Sequence, residues 1–376
     1  MANQLRRVRI AGTGSFLPNA PVGIDRIDDV LGHIHDAPKR VQSFMQSVGR
    51  RMLEHGGVQR RFFAIDPETH ELTHSVAGLA EPAARAALAD AGRRPEDVDL
   101  LLISSPSSDR STPPTSALLQ ARLGIERCAE MEIHSNCSGM GKAMQVAYDS
   151  LRVGRYRTAL VVYSQLSSAY LRAAYFNQAK MTKTQAALRY ILSDGAGAAV
   201  LESCDCTGDD ELRTEVLGTY VESIGGRLDP AMTCGGAAED VMTGANPAAT
   251  IYDEGRHHLD QDFAAVNRLA GANLFDGMMR MFESLRIEPR RIDHYIWSIP
   301  TMQLYDENVP ALREKLGARP EQLQFRTASS GYCGGASMLI HLDQMAKSGE
   351  LQPGQTAAVY SVESSKWMSA GFVVRW

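Results

Sequence analysis

Cys137 stands in Asn136-Cys137-Ser138-Gly139, after the strand-like run Ala129 to Ile133. It precedes residues 142–151, whose apolar side chains Ala143, Val146, Ala147 and Leu151 recur at helical spacing. A cysteine on such a strand-to-helix turn lies at the positive end of the helix. That position favours thiolate, the form that attacks a carbonyl carbon. The competing reading is a small buried hydrophobe, as most cysteines are.

The chain around this turn has 376 residues, 44% hydrophobic and 22% charged, with a net charge of −5. These proportions suit a folded globular protein of two domains or one large duplicated one. The negative balance and the lack of a dense basic run argue against nucleic acid as a partner. No apolar stretch reaches membrane-spanning length, and residues 1–7 lack the apolar core of a signal peptide. A cytoplasmic location and no membrane partner are therefore expected. The six cysteines then read as reduced thiols. Cys204-x-Cys206 is the one close pair, and it lacks a second ligand pair at zinc spacing, so no metal site is expected.

The elements that must position the cysteine alternate in type. Val8 to Gly14 reads as a first strand and Ile24 to about Glu54 as a charged helical stretch. Arg50, Arg51, Arg60 and Arg61 form a loose basic cluster there. It reads as a solvated face or as a landing site for the phosphates of a nucleotide-bearing thioester or carrier protein. Ser75 to Ala91 is an amphipathic helix, and Asp99 to Ser104 is an apolar strand covered on both faces. In Ser193-Asp194-Gly195-Ala196-Gly197-Ala198 the small residues let a strand pass close to another element, expected to be the cysteine helix. Gly225 to Thr250, rich in Gly, Ala, Pro and Asp, reads as a long excursion that covers a cavity.

The chain also repeats itself. Pro95-Glu96-Asp97-Val98-Asp99 leads to Leu102-Ile103-Ser104-Ser105-Pro106, and Pro289-Arg290-Arg291-Ile292-Asp293 leads at matching offsets to Ile296-Trp297-Ser298-Ile299-Pro300. Asn136-Cys137-Ser138-Gly139 opens a helix that leads through Gly154 to Val161-Val162-Tyr163-Ser164. Tyr332-Cys333-Gly334-Gly335 opens one that leads through Gly349 to Ala358-Val359-Tyr360-Ser361. An internal duplication of helix–strand units follows, with halves at residues 1–205 and 206–376. It gives an α/β protein with largely parallel sheet and a ligand site where the halves meet.

Together, the cysteine turn, the duplication and the Asp-Gly-Ala-Gly-Ala strand resemble the thiolase superfamily, and within it β-ketoacyl-acyl-carrier-protein synthase III. Gly12-Thr13-Gly14-Ser15-Phe16-Leu17-Pro18, Leu123-Gly124-Ile125 and the terminal Gly371-Phe372-Val373-Val374-Arg375-Trp376 extend the likeness over nearly the whole chain. The resemblance implies a duplicated five-layer αβαβα fold and a homodimer. It implies that Cys137 is acylated by a coenzyme A or acyl-carrier thioester, with no other cofactor. The acyl oxygen is then held by backbone N–H groups, that of the cysteine among them.

The likeness breaks at the family's Cys-His-Asn triad. Ser298 stands where the resemblance places the histidine, and Tyr332 stands beside the place of the asparagine. The late Gly-rich loop is Ser364-Ser365-Lys366-Trp367, from which Ser365 and Lys366 are taken as the oxyanion loop. Thr112 replaces an aromatic that the family places in the acyl pocket across the dimer. Arg50, Arg51 and Arg61 are taken as the entrance for coenzyme A or the carrier. Substitute bases are His134, His257 and Glu363, with His258 beside the second. A serine is a poor general base at neutral pH, so malonyl decarboxylation by the usual route is not expected.

Three readings follow. The first is an acyltransferase of secondary metabolism that loads Cys137 and passes the acyl group to an acceptor. The second is a carbon–carbon condensing enzyme with relocated catalytic residues. The third is a non-catalytic partner subunit in a heterodimer with an active ketosynthase.

Overall fold

The computed structural model describes residues 5–204, 213–238 and 247–376. The first half contributes β1 (Arg7–Phe16), β2 (Leu100–Ser105), β3 (Ala129–His134), β4 (Thr158–Gln165) and β5 (Gly195–Cys204). The second contributes β6 (Glu215–Ser223), a short ribbon of β7 (Met232–Thr233) with β8 (Asp260–Gln261), then β9 (His294–Trp297), β10 (Thr356–Glu363) and β11 (Met368–Arg375).

The first five strands lie in the order β1-β5-β4-β2-β3, and the second set in the order β6-β11-β10-β9. Taken in those orders, β1/β5 and β5/β4 are antiparallel, while β4/β2 and β2/β3 are parallel. β6/β11 and β11/β10 are antiparallel, and β10/β9 is parallel. The same order and the same senses recur, so the duplication seen in the sequence is a duplication of sheet topology. The two half-sheets meet at one edge, where Arg9 pairs with Glu215. The proposed boundary between residues 205 and 206 lies outside the described residues.

Two helices fill the middle. Met140, Ala143, Met144, Ala147 and Leu151 of helix Gly139–Arg152 share one core with Met338, Leu339, Ile340, Leu342 and Met345 of helix Ala336–Ser348. The same core takes Leu102 and Val161 from one half-sheet and Val359 and Phe372 from the other. Helices Val76–Asp90 and Thr115–Leu123 cover the outer face of the first half-sheet. Helices Phe263–Leu285 and Met302–Leu316 cover that of the second. The result is the duplicated five-layer αβαβα fold. No helix of the described residues is long and apolar enough to cross a membrane.

The central helices reach across to the opposite half. A Cβ at Gly197 of β5 would lie 2.5 Å from Leu339 Cβ of helix Ala336–Ser348, so the small residues of β5 admit this helix rather than the cysteine helix expected from the sequence. Conversely, Gly141 of the cysteine helix packs on β11, where a Cβ would come within 2.5 Å of Ala370 Cβ and 2.9 Å of Gly371 N. Alanine is the better helix former by about 1 kcal/mol. The overlap with backbone outweighs that gain. Gly141→Ala is therefore expected to lower unfolding free energy by about 1–3 kcal/mol, readable as an earlier urea midpoint at unchanged slope.

His341 of helix Ala336–Ser348 is buried, with Nε2 2.9 Å from Ser330 Oγ. Burial, with the nearby Arg326 charge, holds its pKa at about 3. The unfolded chain takes up this proton near pH 6.5, before the folded one does. Stability from the neutral ring is complete above that pH and is lost as pH falls toward 3. Between pH 7 and pH 4 the wild-type unfolding free energy should fall further than that of His341→Gln, the gap reaching up to about 3 kcal/mol, readable from urea unfolding at each pH.

Several local expectations change. The stretch from Ile24 to Glu54 is helical in two parts, separated at Gly32 (φ +80) and Pro38: helix Ile27–Leu31, and a run in which a π-helical turn at Met45–Gly49 joins Lys39–Phe44 to Arg50–His55. Helix Phe263–Leu285 begins only after β8, where the Asp262 side chain accepts from Ala265 N. Part of the excursion at 225–250 lies outside the described residues; the rest holds β7 and helix Pro247–Glu254. Cys204 is disulfide-bonded rather than a reduced thiol.

Candidate active site

β3 ends at His134, and the turn that follows brings Cys137 to the start of helix Gly139–Arg152. The turn closes through Gly139 N donating to Asn136 O at 2.9 Å. A Cβ at Gly139 would lie 2.1 Å from Ser104 Oγ, so only glycine lets the helix start this close to β2. Cys137 is half-buried on the wall of a cavity of about 470 Å³. Apolar side chains from three quarters line that cavity: Leu192, Met232, Val266 and Leu274, and Ile299 and Leu304.

Ser298 follows β9 directly, its N–H donating to Tyr360 O at 3.2 Å. Tyr332 precedes helix Ala336–Ser348 and is held at the main chain by Ser193 N at 2.9 Å. The duplication thus delivers both to Cys137 from the second half. Tyr332 Oη lies 3.0 Å from Cys137 Sγ and 2.6 Å from Ser298 Oγ, a continuous thiol–phenol–hydroxyl row. Cys333, the sequence counterpart of Cys137, turns away and is fully buried, with Sγ 3.2 Å from Asp194 O.

Burial pushes the Cys137 thiol up to about 11, with the Glu363 carboxylate adding to the rise; hydrogen bonds from Tyr332 and Ser298 and from its own main-chain N–H act in the other direction. The sequence expectation of a resting thiolate is thereby corrected. Loss of solvation outweighs the helix start, and the thiol is protonated at neutral pH. Tyr332 is raised well above its ordinary value, chiefly by burial, so its phenol keeps its proton and serves as a donor.

Glu363 ends β10 directly behind the nucleophile turn and is 2% exposed. It accepts from Ser135 Oγ at 2.7 Å, Ser138 N at 3.1 Å, Ser138 Oγ at 2.5 Å and Ser365 Oγ. Burial opposes its charge, yet bonds from Ser138, Ser365 and Ser135 and the Lys142 ammonium hold its carboxyl below the usual carboxylate range. Four donors, three of them on Oε2, and a lowered pKa make it a weak base engaged in structure, and it does not line the cavity, so that expectation is corrected.

The other proposed residues do not join the row. His134 is exposed at the end of β3, outside the cavity wall. His257 has both ring nitrogens engaged, with Tyr175 O at 2.9 Å and Ile251 O at 3.3 Å, and it does not line the cavity. His258 is buried, with Nε2 accepting from Asn177 N at 3.0 Å. Ser365 turns to Glu363, and Lys366 is exposed with Nζ donating to Leu228 O at 2.5 Å. The late turn presents Ser364 to the cavity instead. Among the described residues no hydrogen bond takes up the main-chain N–H of Ser364.

Arg61 is no entrance residue. It is 2% exposed and donates to Val58 O at 3.0 Å and Tyr190 O at 2.5 Å, and burial lowers its pKa to about 10. It holds chain segments together and cannot greet a phosphate. Arg51 is exposed, and the side chain of Arg50 lies outside the described residues. Thr112 is exposed and stands apart from the cavity of its own chain. Lys142 went unmarked in the sequence. Its signal was a lone cation on the apolar run that follows Cys137; Nζ donates to Ser135 Oγ at 2.8 Å.

The fold and the cysteine turn are those of a thiolase-type α/β protein, and comparison with known proteins narrows the likeness. The family of 3-oxoacyl-[acyl-carrier-protein] synthase III matches residues 131–220, and its C-terminal family matches residues 283–376. The chain is 27% identical to the β-ketoacyl-[acyl-carrier-protein] synthase III of Methylococcus capsulatus over 356 residues, covering 93% of this chain and 94% of that one. It is 28% identical to the enzyme of the same name from Rhodospirillum rubrum over 347 residues, covering 92% of each. The solved priming β-ketosynthase of the R1128 polyketide pathway has the same fold, with a TM-score of 0.76 at 21% identity, covering 100% of this chain and 97% of that one. In both of its halves the chain is thus similar to the β-ketoacyl-acyl-carrier-protein synthase III proteins of the thiolase superfamily.

Proposed function

We propose that this protein is an acyltransferase of the ketosynthase III type. It takes an acyl group from a coenzyme A or acyl-carrier thioester onto Cys137 and passes it to a nucleophilic acceptor, in secondary metabolism. The observation that carries this reading is the row Cys137–Tyr332–Ser298 on the wall of an apolar cavity. In the loading step Cys137 Sγ bonds the thioester carbonyl carbon and the donor's C–S bond breaks. The thiol proton ends on the departing thiol. Tyr332 donates to the sulfur as its charge develops, and the main-chain N–H groups of Cys137 and Ser364 suit the carbonyl oxygen. Among the described residues no histidine lines the cavity, which leaves no imidazole to stabilise an enolate.

Carbon–carbon condensation is the second reading, favoured by the names of the two relatives. Tyr332 and Ser298 hydroxyls would then hold the enolate oxygen. The family's homodimer is retained as part of the proposal.

The test is intact-protein mass spectrometry after exposure to acyl-coenzyme A and acyl-carrier thioesters. An adduct that Cys137→Ala lacks is expected. No adduct from any donor overturns both catalytic readings. Carbon dioxide release from malonyl thioester at the rate of acyl loading would replace transfer with condensation.

A further inference from the structure

If acyl transfer proceeds as proposed above, one oxygen must be met by N–H groups from two turns far apart in sequence. Cys137 belongs to the first turn and Ser364 to the second, and one side chain bridges them. Glu363 Oε2 accepts from Ser135 Oγ, Ser138 N and Ser138 Oγ at 2.7, 3.1 and 2.5 Å, across 225 residues in the case of Ser138. Its Oε1 accepts from Ser365 Oγ, next to Ser364. Lys142 Nζ closes the cluster from the helix side through Ser135 Oγ at 2.8 Å and Met368 Sδ at 3.2 Å.

A buried carboxylate costs stability unless hydrogen bonds and nearby positive charge offset it, and here four donors and the neighbouring Lys142 ammonium do so. Charge-assisted bonds are short and directional, so they fix position better than packing of apolar groups would. We propose that Glu363 is a positioning residue: its carboxylate ties the Ser135–Ser138 turn to the Ser364–Trp367 turn and sets the spacing of the two N–H groups that hold the acyl oxygen. Lys142 balances the charge, and Ser365 is the link to the late turn.

Two reactions of Cys137 separate this role from general support of the fold. Acylation by p-nitrophenyl butyrate builds charge on a carbonyl oxygen; alkylation by iodoacetamide builds none there. Glu363→Ala should slow acylation by roughly 10²-fold, the effect of misplacing one oxyanion donor. Alkylation should hold or rise, because removing a nearby negative charge favours thiolate. Ser365→Ala removes only the link and guards against a Glu363 variant that fails to fold. It should slow acylation about tenfold, with alkylation unchanged and the unfolding midpoint lowered only by the loss of one hydrogen bond.

Equal losses in both reactions, or acylation unchanged in the folded variants, would overturn the positioning role. So would a wild-type protein that alkylates but takes no acyl group from the ester. Butyrylation by the ester without loading from any biological thioester would leave this role standing and sink the acyltransferase reading instead.

Discussion

Replacing Cys137 with alanine is expected to abolish the acyl adduct and to cut turnover by on the order of 10⁴-fold or more. The size of the loss follows from geometry. Among the described residues Cys137 carries the one thiol that lines the cavity; Cys333 bonds Asp194 O, and Cys128 and Cys234 line no part of it. No second nucleophile of comparable strength stands in line, since Ser298 and Tyr332 hydroxyls bear protons at any working pH. Mass spectrometry of the wild type and the variant reads the adduct directly. An adduct of equal yield in Cys137→Ala would move the acyl carrier to another residue.

The second large effect is on pH dependence. A thiol held at about 11 is almost wholly protonated at pH 7. Below that value each pH unit raises the thiolate fraction about tenfold, so iodoacetamide should alkylate Cys137 roughly 100-fold faster at pH 9 than at pH 7. The direction is upward throughout this range, because the pKa is raised and the reactive form is the deprotonated one. Tyr332→Phe removes the hydrogen bond that lies 3.0 Å from the sulfur. A bond to a charged group is worth about 1.5–3 kcal/mol, so alkylation at pH 8 should fall by about tenfold or more. The curve should shift to higher pH without changing shape. A plateau reached by pH 7 would mean a resting thiolate, and a faster Tyr332→Phe would mean that the phenol screens the sulfur instead of serving it.

This picture gives a chemical reason for the neutral row around the cysteine. In the acyl transfer proposed above, no imidazole lines the described cavity to draw the thiol proton away, so the proton leaves with the departing thiol. Loading is therefore coupled to the arrival of a donor whose leaving group can carry that proton. A largely apolar cavity of about 470 Å³, with Lys183 the one charged side chain in its lining among the described residues, keeps the resting thiol protonated and protects it from adventitious alkylation or oxidation at neutral pH.

Much of the architecture was legible in the residues. The all-buried Leu100–Ser105 strand, the amphipathic helix at Val76–Asp90 and the repeated Pro-to-Ser stretches point to two equivalent α/β units, and the sheet orders repeat as those units require. Pattern suffices for this because periodicity and punctuation are local properties, recoverable wherever burial is continuous along an element. The duplication placed Cys137 and Tyr332 where the halves meet, and the family resemblance pointed to Ser298 and Tyr332 at the places of its histidine and asparagine.

Which members of a short turn face a cavity is not local. Ser364, Ser365 and Lys366 are adjacent, yet one lines the cavity, one bonds Glu363 and one reaches Leu228. Arg61 reads like its exposed neighbour Arg60 but is sealed among carbonyls, and His257 spends both ring nitrogens on main-chain oxygens. These outcomes depend on partners supplied from 2 to 138 residues away.

The cysteine turn itself divides the two contributions most clearly. Sequence alone determined a cysteine-bearing strand-to-helix turn in a duplicated α/β chain, because residue type and spacing encode it. Tertiary structure alone decided the state of that nucleophile. Burial raised the thiol, Tyr332 and Ser298 arrived from the other half, and Glu363 closed the turn from behind. Solvation and long-range hydrogen bonding set the chemistry of Cys137, and both are properties of the packed molecule.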